Sequence, residues 1–439
     1  MRERSGRRSR TVLLWYSSVM LEAVLRIGRR IIPERIFRAA QPLYHFALAL
    51  CAAVFYGFPS RKIKVVAVTG TKGKSSVVEL AAAILEEAGF TVASLSTIRF
   101  KIGKTERRNL YKMTTPGRFF VQKFLRDAVR AGCSYAVLEM TSEAARQYRH
   151  AFIALDALIF TNLAREHIES HGSYEEYRDA KLSLVRALER SLKRPRVVVA
   201  NANDSEGWRF LEAKVEERIP YRLSKEERPF ETKLVGSFNQ ENILAAVSFA
   251  KSQGVAEEVA LRGASHVSVI PGRAEFIREG QPFGVIVDYA HTPDSLEKLY
   301  QAFAGKKIIA VLGNTGGGRD VWKRPEMGRL ADTHAEKVFL TNEDPYDEDP
   351  LAIVEAMARG MARAPEIIMD RREAIRKALK LASTLAHSGN KNIAVLITGK
   401  GTDPYIMGAN SDKIPWDDRE VVRQELKTLD VDRHQTSSV

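Results

Sequence analysis

The segment that most constrains the fold is Lys64-Val-Val-Ala-Val68, followed by Thr69-Gly-Thr-Lys-Gly-Lys-Ser-Ser76 and a helical pattern to Leu85 that Gly89 stops. A short apolar run feeding a glycine-rich turn and a helix start is the sequence form of a phosphate cradle. Backbone N–H groups and the helix dipole face the anion, a lysine reaches the β and γ phosphates, and a hydroxyl can hold Mg²⁺. Here Gly70, Thr71, Lys72, Gly73, Lys74, Ser75 and Ser76 form the turn, with Lys74 and Ser75 in those two roles. The pattern departs from G-x-x-x-x-G-K-[ST] in carrying Val68 where the first glycine belongs. A bare glycine-rich turn with a solvated lysine is the competing reading; the strand before it and the helix after it favour a nucleotide.

Other apolar runs end in polar clusters: Tyr135 to Met140, Ala157 to Asn162 and Arg196 to Asn201. Strands that alternate with helical stretches predict a parallel sheet whose ligands gather at the strands' carboxyl ends. Glu139 stands at such an end, as a Mg²⁺ ligand or as the cap of a neighbouring helix. His167 and His171 are spaced to share a helix face, but Ile168 sits where H-E-x-x-H requires glutamate, so no zinc-protease site is encoded. After Ile270-Pro-Gly-Arg273 the logic repeats at Val285 to His291, Ile308 to Gly313, Lys337 to Asn342 and Ile393 to Gly399. Asn314 to Asp320 lacks G-x-G-x-x-G spacing, which argues against nicotinamide chemistry. The expected fold class is α/β: a P-loop central domain with a parallel sheet (62–268), a Rossmann-like α/β C-terminal domain (269–439) and a short helical N-terminal segment (1–61).

Composition narrows the function classes. The 439 residues, 45% hydrophobic and 28% charged, are enough for roughly two to four globular domains. Two separated cysteines, Cys51 and Cys133, encode neither a disulfide framework nor a zinc site. The net charge of +14 is concentrated: residues 1–40 hold ten arginines, no lysine and three glutamates, an excess of seven. The body lacks a basic stripe of the kind a nucleic-acid groove needs, so no nucleic-acid partner is expected. Leu43 to Phe58 is apolar, yet as a helix it reaches only about 24 Å against a hydrocarbon core of about 30 Å. Either this segment meets anionic lipid from one side or it packs as a helical hairpin on the next domain.

From about Lys64 to Leu426 the chain resembles the Mur ligases, the ATP-dependent amide ligases of peptidoglycan precursor synthesis, and most closely their MurE type. The resemblance is carried by Gly70 to Ser75, Thr114-Thr-Pro116, Glu139 with Ser142, Asn162 to Gly172 and Phe238 to Ala246. It continues through Pro271-Gly-Arg273, Asp288 to Pro293, Lys323-Arg-Pro325 and Gly399-Lys-Gly401. It implies ATP and two Mg²⁺ ions, with Lys74 on the phosphates, Ser75 and Glu139 on one metal, and His167 with a carbamylated Lys181 at the second. Without the family, Lys181 reads as a solvated helix residue. Asn239, Asn242, Asp288, Tyr289, His291 and Arg319 become nucleotide contacts. Thr114, Thr115 and Ser142 fall on the acceptor side, and Asp344, Tyr346, Gly399 and Asp403 on the amino-acid side.

The resemblance also implies a monomeric cytoplasmic enzyme joining an amino acid to a muramoyl-peptide acceptor. Residues 1–61 would give it peripheral contact with anionic lipid on the inner face of the membrane. Three departures stand out. No uridine-nucleotide-binding N-terminal domain is recognisable. Glu343-Asp-Pro-Tyr346 replaces the D-N-P-R motif that reads diaminopimelate, and Glu143 follows Ser142 where histidine is common. A folylpolyglutamate synthetase-like ligase and a non-catalytic ligase-like membrane scaffold are the alternatives.

Overall fold

The computed structural model describes residues 34–166, 171–224, 227, 229–318 and 320–436. Within these residues β1 (Lys64–Thr69), β2 (Val92–Leu95), β3 (Arg99–Ile102), β4 (Thr105–Arg108), β5 (Tyr135–Glu139), β6 (Ala157–Phe160), β7 (Val197–Asn201) and β8 (Glu217–Tyr221) form one sheet. Its order is β4-β3-β2-β5-β1-β6-β7-β8, parallel throughout except for the β2-β3-β4 edge.

β1 is central, and every residue after Lys64 is buried. Val66 and Val68 face one core and Val65 and Ala67 the other, which is why the strand reads as an unbroken apolar run. Each fully buried valine contributes roughly 1.5–3 kcal/mol over exposure, so the strand that launches the glycine-rich turn is firmly seated.

The helices around this sheet are α1 (Glu34–Tyr56), α2 (Lys74–Glu87), α3 (Arg118–Arg130), α4 (Ser142–Arg146), α5 (Tyr174–Glu189), α6 (Gly207–Leu211), α7 (Ser237–Ser252) and α8 (Glu257–His266). α2, α7 and α8 cover one face, while α3 and α5 cover the other. α1 packs on α3 and buries Ala49, Ala52 and Ala53. Leu43, Leu50 and Val54 on another side are exposed, as are Phe46, which meets Phe152, and Phe55, which meets Phe119 of α3. One face of α1 therefore docks on the protein, as one of the two sequence readings has it, and the other leaves an apolar stripe. No helix among the described residues is long and apolar enough to cross a membrane. Residues 1–33, with eight of the ten arginines of the first 40, lie outside the described residues.

The second sheet contains β9 (Glu275–Phe276), β10 (Gly284–Asp288), β11 (Lys307–Leu312), β12 (Lys337–Leu340), β13 (Glu366–Ile367) and β14 (Ile393–Thr398), in the order β13-β12-β11-β14-β10-β9. Only β9 runs antiparallel. It is flanked by α9 (Pro293–Ala302), α10 (Lys323–His334), α11 (Pro350–Ala358), α12 (Arg371–His387) and α13 (Asp418–Thr436), with a two-stranded ribbon, β15 (Tyr405–Met407) and β16 (Lys413–Pro415), beside it. Two parallel-rich sheets in series, the first opening on a glycine-rich turn, realise the α/β class read from the sequence.

Candidate active site

The turn leaves β1 at the sheet's centre and is closed by β6. Thr71 N donates to Asn162 O at 2.7 Å, Lys72 N to Asn162 Oδ1 at 2.9 Å, and Thr161 Oγ1 to Lys72 O at 2.6 Å. Two glycines are obligatory here. Gly70 adopts φ +145°, and a Cβ on it would lie 1.9 Å from Thr161 Oγ1. Gly73 adopts φ +83° at the start of α2, where a Cβ would lie 2.3 Å from Asn242 Oδ1. The result is a helix N-terminus whose free N–H groups face the space above it.

Lys74 folds back so that Nζ donates to Thr71 O at 2.8 Å. Burial pushes its ammonium below the usual lysine range, against the pull of Glu139 and Glu166. Lys181 comes from α5, where Tyr177 and Lys181, four residues apart, share the buried side. Tyr177 Oη lies 3.0 Å from Thr71 Oγ1, and Lys181 Nζ donates to Gly70 O at 2.7 Å. Lys181 is thus 1% exposed, not on a solvated face as the bare sequence reads. Burial, then Lys74, drives its pKa well below the ordinary value. The two lysines serve one loop from opposite sides.

Glu139, at the end of β5, accepts from Ser75 Oγ at 2.9 Å, from Thr97 N at 2.8 Å and from Thr97 Oγ1 at 3.1 Å. Thr97 and Thr114 hydroxyls are 2.8 Å apart, and Thr115 Oγ1 donates to Glu139 O at 2.7 Å. Thr141, not Glu139, caps α4, so the capping alternative for Glu139 does not hold. Ser142 is buried in the first turn of that helix. His171 is buried edge-on against Tyr177 at 5.2 Å, the packing of a structural ring. His167 and Arg319 lie outside the described residues.

The second sheet closes the site. Asp288 ties the loop after β10 to the segment before β9, accepting from Ala290 N and Ala274 N at 2.6 Å each. Burial raises its carboxyl, while Arg273 opposes the rise. The Arg273 guanidinium lies 4.5 Å over the Tyr289 ring and reaches Ser75 Oγ at 3.4 Å. His291 Nε2 stands 3.0 Å from Glu166 Oε1, the oxygen that also accepts from Lys72 at 3.0 Å. Together these groups enclose a cavity of about 340 Å³ lined from both sheets, which Asn242, Phe238 and Lys298 border as well. Asn239 sits one step back, its Oδ1 accepting from Asn242 Nδ2 at 3.1 Å.

The amino-acid-side residues assemble separately. Asp344 accepts from Lys400 at 2.8 Å and from Met407 N at 2.8 Å, Asp403 lies 3.3 Å from Lys400, and Gly399 packs its α-carbon against Glu343. Tyr346, at φ +52°, has its ring 6.0 Å from Lys112 Nζ.

Sequence reasoning did not single out Thr97, Glu166, Arg273 or Lys112 as site residues. The clue for Glu166 and Arg273 lay in their motifs, Asn162 to Gly172 and Pro271-Gly-Arg273. Thr97 and Lys112 carry no local signal. Among the described residues no three His, Cys, Asp or Glu side chains converge as a metal cluster. The hydroxyls of Ser75 and Thr97 with the Glu139 carboxylate form a hard oxygen set of the kind Mg²⁺ takes.

Two families match this arrangement, the Mur ligase middle domain over residues 68–221 and the Mur ligase, glutamate ligase domain over residues 272–401. The UDP-N-acetylmuramyl-tripeptide synthetase of Roseiflexus sp. (strain RS-1) is 36% identical over 426 residues, spanning 88% of this chain and 83% of that protein. The chain belongs to the Mur ligase family. This Mur ligase is also 34% identical over 412 residues to the UDP-N-acetylmuramoyl-L-alanyl-D-glutamate--2,6-diaminopimelate ligase of Syntrophomonas wolfei, with 87% of the chain and 82% of the relative covered.

A solved diaminopimelate ligase of the same name aligns with a TM-score of 0.55 at 27% identity, over 84% of this chain and 79% of that one. Folylpolyglutamate synthase of Mycobacterium tuberculosis, complexed with ADP and AMPPCP, aligns with a TM-score of 0.66 at 16% identity, over 81% of this chain and 92% of that one. That likeness concerns the fold alone. As a Mur ligase the chain is an ATP-dependent enzyme that joins an acid to an amino acid.

The glycine geometry carries a direct expectation. Gly73→Ala adds a left-handed residue costing roughly 1–2 kcal/mol and a methyl inside Asn242. By isothermal titration, MgATP affinity should fall at least tenfold while far-ultraviolet circular dichroism is unchanged.

Proposed function

We propose that this Mur ligase adds an amino acid bearing a second amine to the carboxylate of a muramoyl peptide, with ATP as the phosphoryl donor. The reading is supported above all by one observation: the glycine-rich turn, Lys74, Glu139 and the His291–Glu166 bridge face a single cavity between two sheets. A carboxylate resists an amine until it carries the γ-phosphoryl group. The acyl phosphate then yields the amide, with ADP and phosphate as the other products. Lys74 and Arg273 supply cations beside the transferring group, preorganised rather than recruited. Glu166 and His291 hold the second sheet over the first, which keeps water from the acyl phosphate. The enzyme's contribution is placement and electrostatics.

Ser75, Thr97 and Glu139 would hold one Mg²⁺, and Lys181 as a carbamate, with His167, the second. Bound there, the two ions would offset charge on the phosphoryl oxygens. A buried Lys181 amine, held well below the usual lysine range, suits the carbamate: nitrogen adds to CO₂ and releases a proton. Residues of one chain complete the cavity, which supports a monomer as the working unit, organised as units 1–61, 62–268 and 269–439.

We place the enzyme in the cytoplasm, where ATP is supplied, and against the inner face of the membrane. The support is the stripe of Leu43, Phe46, Leu50, Val54 and Phe55 on α1, joined by exposed Phe119 beside Phe55, next to the arginine-rich first 40 residues.

ADP release should require ATP, UDP-N-acetylmuramoyl-L-alanyl-D-glutamate and a diamino acid together; an inert scaffold would release none. Lys74→Ala should lower the rate roughly 10²–10³-fold. In ¹³C NMR with labelled bicarbonate, a carbamate signal should appear and vanish in Lys181→Arg.

Vesicles containing anionic phosphatidylglycerol should sediment with the full chain more than with a chain starting at Ser60. Val54→Glu with Phe55→Glu should weaken that binding. Equal partitioning of all three would remove the membrane from the account.

A further inference from the structure

Behind the cavity wall lies a second set of charges that phosphoryl transfer does not use. Lys112, two residues before Thr114, reaches across to the second sheet. Its ammonium pairs with Asp344 and stands 3.4 Å from Asp403 Oδ2. Lys400 donates to the same two carboxylates at 2.8 and 3.3 Å. With Glu343 adjoining, three carboxylates meet two ammonium groups, and water does not dilute the imbalance: Glu343, Asp344 and Asp403 are 2, 3 and 8% exposed. Glu343 Oε2 is buried and has no hydrogen-bond partner among the described residues. The cluster adjoins the nucleotide cavity through Tyr289, a lining residue whose phenol is pushed up chiefly by Asp403.

The two lysines are not equivalent. Lys400 is fully buried and rides on the same sheet domain as its carboxylates. Lys112 comes from the other domain, retains 15% side-chain exposure, and is held below the usual lysine range by burial and then by Lys400. Lys112 is therefore the weaker-held cation, the one an entering ligand meets. A far end carrying only an ammonium would have to compete with Lys112 for Asp344 and Asp403. A far end with a carboxylate beside its ammonium gives Lys112 an anionic partner, and its ammonium can turn to the unpartnered oxygen of Glu343. Tyr346 lies next to Lys112 and brings no charge of its own.

We propose that Lys112 is a specificity-determining residue that reads the far end of the incoming amino acid, favouring a terminal carboxylate beside an ammonium over a lone ammonium. The inference rests on the ligase reading above.

The test compares kcat/KM for 2,6-diaminopimelate and for L-lysine, with UDP-N-acetylmuramoyl-L-alanyl-D-glutamate as acceptor, in wild type, Lys112→Gln and Lys112→Arg. Wild type should prefer diaminopimelate at least tenfold. That ratio should fall at least tenfold in Lys112→Gln, through KM rather than kcat, and stay within about threefold of wild type in Lys112→Arg, which keeps the cation. A wild-type preference for lysine overturns the proposal without recourse to any variant. So does an unchanged ratio in a folded Lys112→Gln that still makes both amides. Wild type that forms no amide with either amino acid overturns the ligase reading, and this inference with it.

Discussion

One oxygen of Glu166 accepts from Lys72 of the glycine-rich turn and lies against His291 of the second sheet, 3.0 Å from each. The two His291 nitrogens face different partners, Nδ1 the Tyr289 carbonyl at 2.7 Å and Nε2 the Glu166 carboxylate, so the ring is fixed between the sheets. With Glu166 5% exposed, water screens this contact poorly, so it sets the distance between the sheets and with it the cavity. Arg108 adds a second tie across the domains, to Thr402 O and Asp417 at 2.8 Å.

The lysines beneath that bridge show how the turn is readied for an anion. Lys74 and Lys181 rest on the carbonyls of Thr71 and Gly70, so their nitrogens are already aimed at the loop. Burial holds both below their ordinary proton affinity, helped by Lys72 and Arg273 at Lys74 and by Lys74 at Lys181. Glu139 is prepared differently. Hydroxyl and amide donors from Ser75 and Thr97 fix its orientation before any metal is present.

How legible these features are in the sequence follows from their range. The turn from Thr69 to Ser76 is local: strand, glycines and helix start lie within a few residues, and the structure has the strand, turn and helix in that order. The central strands are legible because burial on both faces leaves unbroken apolar runs. The β3–β4 edge is not, since Thr105-Glu-Arg-Arg108 is short, polar and exposed and owes its pairing to its neighbour. Glu166 and His291 are 125 residues apart and Lys112 and Asp344 232 apart, so no periodicity links them. Lys181 shows the limit most sharply. Its Asp179-Ala-Lys-Leu182 surroundings look solvated, and only the fold reveals that the loop of another strand lies over it. α1 was half legible: its apolar run allowed either docking on the protein or an exposed apolar side, and the structure has part of each.

All of this converges on a carboxylate being phosphorylated within the cavity before the amine arrives. The direct measurement uses an acceptor whose reacting carboxylate carries ¹⁸O in both oxygens, with the released phosphate analysed by mass spectrometry after one round of ligation. Transfer through an acyl phosphate predicts one ¹⁸O in each phosphate and one left in the amide carbonyl. Phosphate free of label, with amide formed, would contradict it.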